Sequence, residues 1–504
     1  ITASAPQGHV RAVRVAMERL GFEQVLASRP SPERALVVAM VAARILAPQT
    51  KLATTRWWHM STLAEDLGVT GADEDDLYGA MDWLLERQEA IEKKLVARHL
   101  RQDSLVLYDL SSSYFEGETC PLAKLGHNRD GKKGKLQVNY GLVTDGRGCP
   151  VAVSVFDGNT SDSVTLMPQV RTLKEKYGLK RVAMVGDRGM IAEKAIADLK
   201  AESLDWITAL KSAQIRALVE SGHLQLGLFD ERSLFELAHP DFPGERLVAC
   251  RNPELAKLRA ATRRSLLEAT AGELEKIKGM VERGRLRSQA DIGLRVGRVI
   301  NKYKVAKHFA LDIAEGRFAF HVLDDLVAAE ARLDGIYVIR TSLVPKRLTA
   351  EDAVRSYKQL SNVERAFRSM KTIDLKVRPI HHRLADRVRA HIFLCMLAYY
   401  VEWHMREAWR PILFADEDQR AKKTRDPVAP AKRSEAADAK AAAHELPDGT
   451  PVHSFRSQLD ELATIVRNTC RARGGDDDSP IFSVITTPSP VQRRAMSLLE
   501  GIAP

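Results

Sequence analysis

The chain of 504 residues holds only five cysteines, Cys120, Cys149, Cys250, Cys395 and Cys470. Their number is odd, they are scattered, and no CxxC occurs. A disulfide framework and a zinc ribbon are therefore excluded as organising devices, and a reducing compartment fits best. Long apolar runs are lacking too. The longest, 35–43 and 392–401, fall well short of the ~20 residues a membrane helix needs. No secretory leader is recognisable at the start, so no membrane partner is expected. The first residue is Ile rather than Met, which points to a truncated or processed start. No internal repeat is found.

What is present is an ordinary globular mixture, 45% hydrophobic and 28% charged, which excludes disorder as a global state. At roughly 150 residues per domain the length suggests about three domains. Lys and Arg total 76 against 66 Asp and Glu, a net charge of +10. That surplus suits a polyanionic partner.

Residues 1–103 read as a helical N-terminal region. Within it, Trp57, Trp58 and the following Glu65-Asp-Leu-Gly-Val fit a small DNA-end-binding unit or, equally, a helical cap on the next domain. At Ser104 the pattern changes to short apolar runs and turns in the order β-β-β-α-β-α-β, a mixed α/β sheet. Residues 104–210 and 336–410 read as one core. Residues 211–335 read as an insertion made of a basic helix and a β-hairpin. Asn252-Pro-Glu opens that helix, with Asn as cap and Pro at the first helical position. From 254 to 298 there are eleven Lys/Arg against six Asp/Glu, with Arg263 and Arg264 candidates for DNA contact. The Ala-, Lys- and acid-rich stretch 411–449 reads as a charged, flexible linker. Residues 450–504 read as an appendage with one helix over 455–471.

Two carboxylates close apolar strands, Asp109 and Asp187. Functional groups gather at strand ends in α/β sheets, and paired carboxylates suit Mg²⁺, which takes few of them and completes its shell with water and phosphate. A two-metal phosphodiester site needs a third acid, and Glu364 is the candidate. At ~100° per residue, Leu360, Val363, Phe367 and Met370 form the apolar stripe of its helix, and Tyr357 and Lys371 fall within ~20° of Glu364. Taken by itself, Glu364 reads first as half of an i,i+4 pair with Arg368 on a solvated face.

Four segments in combination resemble the DDE transposases of bacterial insertion sequences, the group with a ribonuclease-H-like core. They are Tyr108-Asp-Leu-Ser-Ser; Gly126-His-Asn-Arg-Asp-Gly-Lys through Phe156-Asp-Gly-Asn-Thr-Ser-Asp; Val185-Gly-Asp-Arg-Gly-Met; and Tyr357 to Lys371 followed by Arg378-Pro-Ile-His-His-Arg. The subgroup signature Tyr-x2-Arg-x3-Glu-x6-Lys is met by Tyr357, Glu364 and Lys371, but Leu360 stands at the Arg position. Arg365 and Arg368 are the candidates for the strand contact of that Arg.

The resemblance implies a ribonuclease-H-like mixed sheet flanked by helices, with the insertion ahead of the Glu helix. It implies that Asp109, Asp187 and Glu364 are the catalytic, metal-binding triad for two Mg²⁺ (or Mn²⁺) ions, and that Tyr357, Arg368 and Lys371 position the DNA strand. The implied activity is transposition: cleavage and joining of the element's own ends by metal-dependent hydrolysis and strand transfer. The implied partners are double-stranded DNA, as terminal inverted repeats and target, and a second copy of the chain in the DNA complex. The implied location is the bacterial cytoplasm, at the nucleoid when DNA-bound. The alternatives are a DNA-binding protein derived from a transposase, or a nuclease on the same core without strand transfer.

Other motifs carry less. Gly126-His-Asn-Arg-Asp-Gly-Lys-Lys approaches a phosphate-binding loop, but Lys replaces the final Ser/Thr and a strand follows instead of a helix. It reads as a basic loop whose Lys132 and Lys133 touch DNA phosphates. His381, His382, His391 and Cys395 read as loop and helix positions, Asp157 and Asp162 as turn residues, and Trp206 as core.

Overall fold

The computed structural model describes residues 1–418, 424–471 and 480–503. The chain divides into two compact units, 1–208 with 355–425 and 432–504, and 209–354 with 426–431.

In the first unit the sheet is built from β2 (Leu105–Tyr114), β3 (Gln137–Thr144), β4 (Pro150–Asp157), β5 (Ala183–Val185) and β6 (Asp205–Ala209), in the order β4-β3-β2-β5-β6. β3 runs antiparallel to β2 and β4, and β2, β5 and β6 run parallel. This is the ribonuclease-H-like order that the resemblance implies. Helices Asp162–Arg171 and Glu193–Ala201 connect β4 to β5 and β5 to β6. β3 is buried along its whole length, as a strand covered on both faces must be. Trp206 on β6 is core.

The apolar run 392–401 lies inside helix Ala385–Ala408, which packs on β4 and on helices Pro32–Leu46 and Glu74–Glu86. Its residues from 390 to 401 are buried all round, so its hydrophobicity serves a protein core. Among the described residues, no single helix is long and apolar enough to cross a membrane.

The second unit holds two clusters. In one, strands β7 (Leu234–Leu237), β8 (Arg246–Arg251) and β11 (Ile336–Thr341) pair antiparallel around Leu247, Ala249 and Val338. In the other, hairpin β9 (Phe309–Ala314) and β10 (Arg317–Val322) shares a core with helices Pro253–Glu282 and Gln289–Ile300 through Leu274, Ile292 and Phe318. Asn252 caps the first of these helices, accepting from the Leu255 amide at 3.0 Å.

Several expectations are corrected. The N-terminal region is not purely helical: β1 (Ala3–Pro6) pairs with β12 (Val466–Arg471). The helix expected over 455–471 stops at Ala463, and the remainder becomes β12, which also pairs with β13 (Ile481–Ile485). Within the expected linker, Ser434 caps helix Glu435–Ala443, and buried Lys440 reaches Glu417 at 2.6 Å. Satisfying that ammonium orders a stretch whose composition alone reads as flexible. Residues 419–423 of the linker lie outside the described residues.

Candidate active site

Asp109 lies in the middle of β2, not at the end of a short strand as the sequence suggests. The antiparallel partner β3 follows β2 from Leu107 to Tyr114, whereas the parallel partner β5 covers only Leu105 to Leu107. Asp109 is thus the second residue past the point where β5 ends, and the sheet opens there into a cleft. Asp187 sits two residues beyond β5, in a turn. Its Oδ1 accepts the amides of Gly189 at 3.0 Å and Met190 at 2.8 Å, which leaves Oδ2 outside these backbone bonds. Glu364 comes from helix Leu360–Arg368, which seats Val363, Ala366 and Phe367 in the core and leaves Glu364 exposed. All three carboxylates line one cleft of about 370 Å³.

The electrostatics of the cleft centre on Asp109. Burial, helped by the negative charges of Asp187 and Glu364, pushes its carboxyl up to about 7, against the Leu110 amide (2.8 Å) and the Arg129 guanidinium, which favour the ionised form. A half-buried carboxyl beside two further acids fits a divalent cation, whose charge relieves both the burial and the repulsion. The donor set is carboxylate oxygen only, as Mg²⁺ and Mn²⁺ prefer.

The wider lining departs from expectation. The helix read as continuous to Met370 breaks at Gln359, between Ala350–Lys358 and Leu360–Arg368, and then widens into a π turn at Ser369–Ile373. Despite these two irregularities Glu364 and Lys371 both line the cleft. Tyr357 lies close enough to the three carboxylates to feel the charges of Asp187, Glu364 and Asp109. It is half-buried, and burial together with the Asp187 charge raises its hydroxyl to about 12. Arg368 lines the cleft and is exposed.

Lys371 also lines the cleft, but not as a free charge. Its ammonium is buried, 2.6 Å from Asp130 and 3.2 Å from the Ser111 hydroxyl, and burial lowers its pKa against the pull of Asp130. Arg378 pairs with the same Asp130 oxygen. Asp130, with a side chain 1% exposed, also accepts the Tyr114 amide at 2.9 Å. This buried cluster ties β2, the loop after it and the π turn together.

Comparison with known proteins decides the family. The model of the transposase DDE domain matches residues 102–401, more than half of the chain. The chain belongs to that family. No curated protein matches it. Six chains of solved structures do, among them a piggyBac transposase synaptic complex with hairpin DNA determined by cryo-electron microscopy. That one is 8% identical with a TM-score of 0.38, covering 90% of this chain and 76% of the other. So distant a likeness informs no residue role.

Sequence reading of the transposase missed Arg129, Asp130, Asp162, Ser111 and Arg378, all in the cleft lining. Asp162, set aside as a turn residue, begins helix Asp162–Arg171 and pairs with Arg129 at 2.5 Å. Two glycines bring those loops together. A Cβ on Gly126 would stand 2.0 Å from the Gly158 carbonyl oxygen, and one on Gly158 would stand 1.9 Å from that of Gln137. The paired glycine motifs were the available signal. Lys132 and Lys133 are exposed on the same loop but do not line the cleft. In the second unit, Arg263 is mostly buried in an ion pair with Asp334, which disfavours the DNA contact expected of it, whereas Arg264 is exposed. Glu351 and Asp352, in the first turn of helix Ala350–Lys358, do not line the cleft; Asp352 accepts from the Thr349 hydroxyl at 2.9 Å.

Proposed function

We propose that this transposase cleaves the ends of its own mobile element and joins them to target DNA, with Asp109, Asp187 and Glu364 as its catalytic carboxylates. The observation that carries the reading is their convergence, from a strand, a turn and a helix far apart in sequence, on one cleft. The three would hold two divalent ions, Mg²⁺ or Mn²⁺. The chemistry such a pair supplies is activation of the attacking water or 3′-hydroxyl and stabilisation of the leaving 3′-oxygen.

The rest of the work falls to the chain. Backbone bonds to Asp109 and Asp187 fix one oxygen of each carboxylate, so the donor geometry is set before DNA arrives. Arg129 keeps a cationic group beside Asp109, favouring its ionised form. Arg368 offers a guanidinium at the rim for a phosphate. Lys132, Lys133, the N-terminal helices and Arg264 extend the contact along double-stranded DNA, and two copies of the chain pair the two ends. Lys371 is assigned to positioning through Asp130, in place of direct strand contact.

The test is cleavage of DNA carrying the element's terminal repeats, in Mg²⁺, by Asp109→Asn, Asp187→Asn and Glu364→Gln. Each is expected to fall to background while retaining the wild-type circular dichroism spectrum. Near wild-type cutting by any one of them removes that residue from the site. Cutting without joined product in the wild type would favour a nuclease.

A further inference from the structure

Away from the acidic cleft, a second group of donor atoms meets within the first unit. His99 ends helix Gln88–His99, Cys149 immediately precedes β4, and His404 lies near the end of helix Ala385–Ala408. The Cys149 Sγ stands 3.9 Å from Nε2 of His99 and 3.8 Å from Nε2 of His404, and the three donor atoms lie within 4.8 Å of one another. Around one tetrahedral zinc ion, with bonds of about 2.3 Å to sulfur and about 2.0–2.1 Å to nitrogen, a sulfur and a nitrogen sit about 3.6 Å apart. The two sulfur–nitrogen edges here are within a few tenths of an ångström of that. Among the described residues, these three donors form a mixed nitrogen–sulfur group close enough together to share one ion.

We infer that His99, Cys149 and His404 form a second metal site, of nitrogen–sulfur type, that takes Zn²⁺ and clasps three elements of the fold. The donor set separates it from the all-oxygen triad, because thiolate and imidazole select zinc-like ions over Mg²⁺. The surroundings are prepared for it. Burial holds both imidazoles below the usual histidine range, His404 at about 3, so each is neutral and can offer a lone pair. The His404 ring is fixed edge-on by Trp403, which Arg147 covers at 5.0 Å. Asp145 accepts the Cys149 amide at 2.9 Å, and burial together with the Asp145 charge holds the Cys149 thiol well above its usual range, so the thiol keeps its proton until a cation takes its place. Cys149 and His404 are buried and His99 is half-buried, which leaves the entry path on the His99 side.

Binding exchanges one proton for one bond. The Cys149 S–H bond breaks, its proton passes to solvent, and a sulfur–metal bond forms. The Tyr400 hydroxyl, 3.0 Å from Nε2 of His99, turns aside to free that lone pair. The fourth position is then left to water or to Tyr400 itself. The ion would join the end of the N-terminal helices, the β3–β4 turn and the long core helix.

The full chain, stripped of metal with chelator, is titrated with Co²⁺ as the spectroscopic surrogate for zinc. One equivalent is expected to raise a thiolate-to-cobalt charge-transfer band with intense visible bands of tetrahedral cobalt, and Zn²⁺ should bleach both. Asp109→Asn is expected to leave them unchanged, since carboxylate-bound cobalt gives no thiolate band. Cys149→Ser should abolish the charge-transfer band; if that variant does not fold, His99→Gln, at the half-exposed ligand, should weaken Co²⁺ binding at least tenfold. Absence of the thiolate band in the wild type overturns the inference whatever the variants do. So does a band that survives Cys149→Ser, or one that follows Cys395→Ser, since Cys395 lies 4.0 Å from His391 in a separate cluster.

Discussion

Asp109→Asn tests the electrostatics of the cleft apart from catalysis. In the metal-free protein the Asp109 carboxyl is raised from 3.8 to about 7, chiefly by burial. On unfolding it returns to the ordinary value. Between those two pH values the folded state holds a proton that the unfolded state has lost, so stability falls as pH rises through the window and levels off above about 7. A rise of that size corresponds to about 4 kcal/mol. Relaxation and water entry reduce it, so a gain of about 2 kcal/mol or more is expected. Asparagine keeps an oxygen for the Leu110 amide and cannot ionise. The variant should therefore match the wild type near pH 4 and exceed it by that amount near pH 8. Urea unfolding in chelator, followed by tryptophan fluorescence at both pH values, measures the difference. Mn²⁺ should restore stability at pH 8 to the wild type only. A difference independent of pH, or an asparagine variant less stable at pH 8, would refute the account of Asp109.

Three further outcomes follow from particular contacts. Lys371→Met should destabilise the protein by about 1–3 kcal/mol, because Asp130 loses one of its two cationic partners and keeps Arg378; adding Asp130→Asn should recover part of this in the same urea assay. Arg129→Gln removes the cation that favours ionised Asp109, so the pH at which cleavage in Mg²⁺ reaches half its plateau should move upward; a downward move would place Arg129 elsewhere in the mechanism. Arg264→Gln should reduce the slope of log K for DNA against log salt by about one, whereas Arg263→Gln should lower the melting temperature through the loss of the Asp334 pair and leave that slope unchanged.

The strands of the core were legible, and the three acids could be proposed, because each rests on local information. Alternating or continuous apolar runs announce strands, Asn252-Pro253 announces a helix start, and the motif segments bring Asp109, Asp187 and Glu364 into one family pattern. Lys371 was legible as a residue of the site but not in its role. Its buried partner Asp130 lies more than two hundred residues earlier, and no periodicity reports which charge a lysine will meet. The helix wheel could not foresee the break at Gln359 or the π turn at Ser369–Ile373, because it assumes 3.6 residues per turn throughout. The grouping of His99, Cys149 and His404 has no sequence spacing at all, since a helix end, a turn and a second helix supply one residue each. Composition and periodicity determined which elements form and which residues could do chemistry. Only the tertiary structure decided which charges are paired and buried, because that depends on what the fold brings within a few ångströms and shields from water.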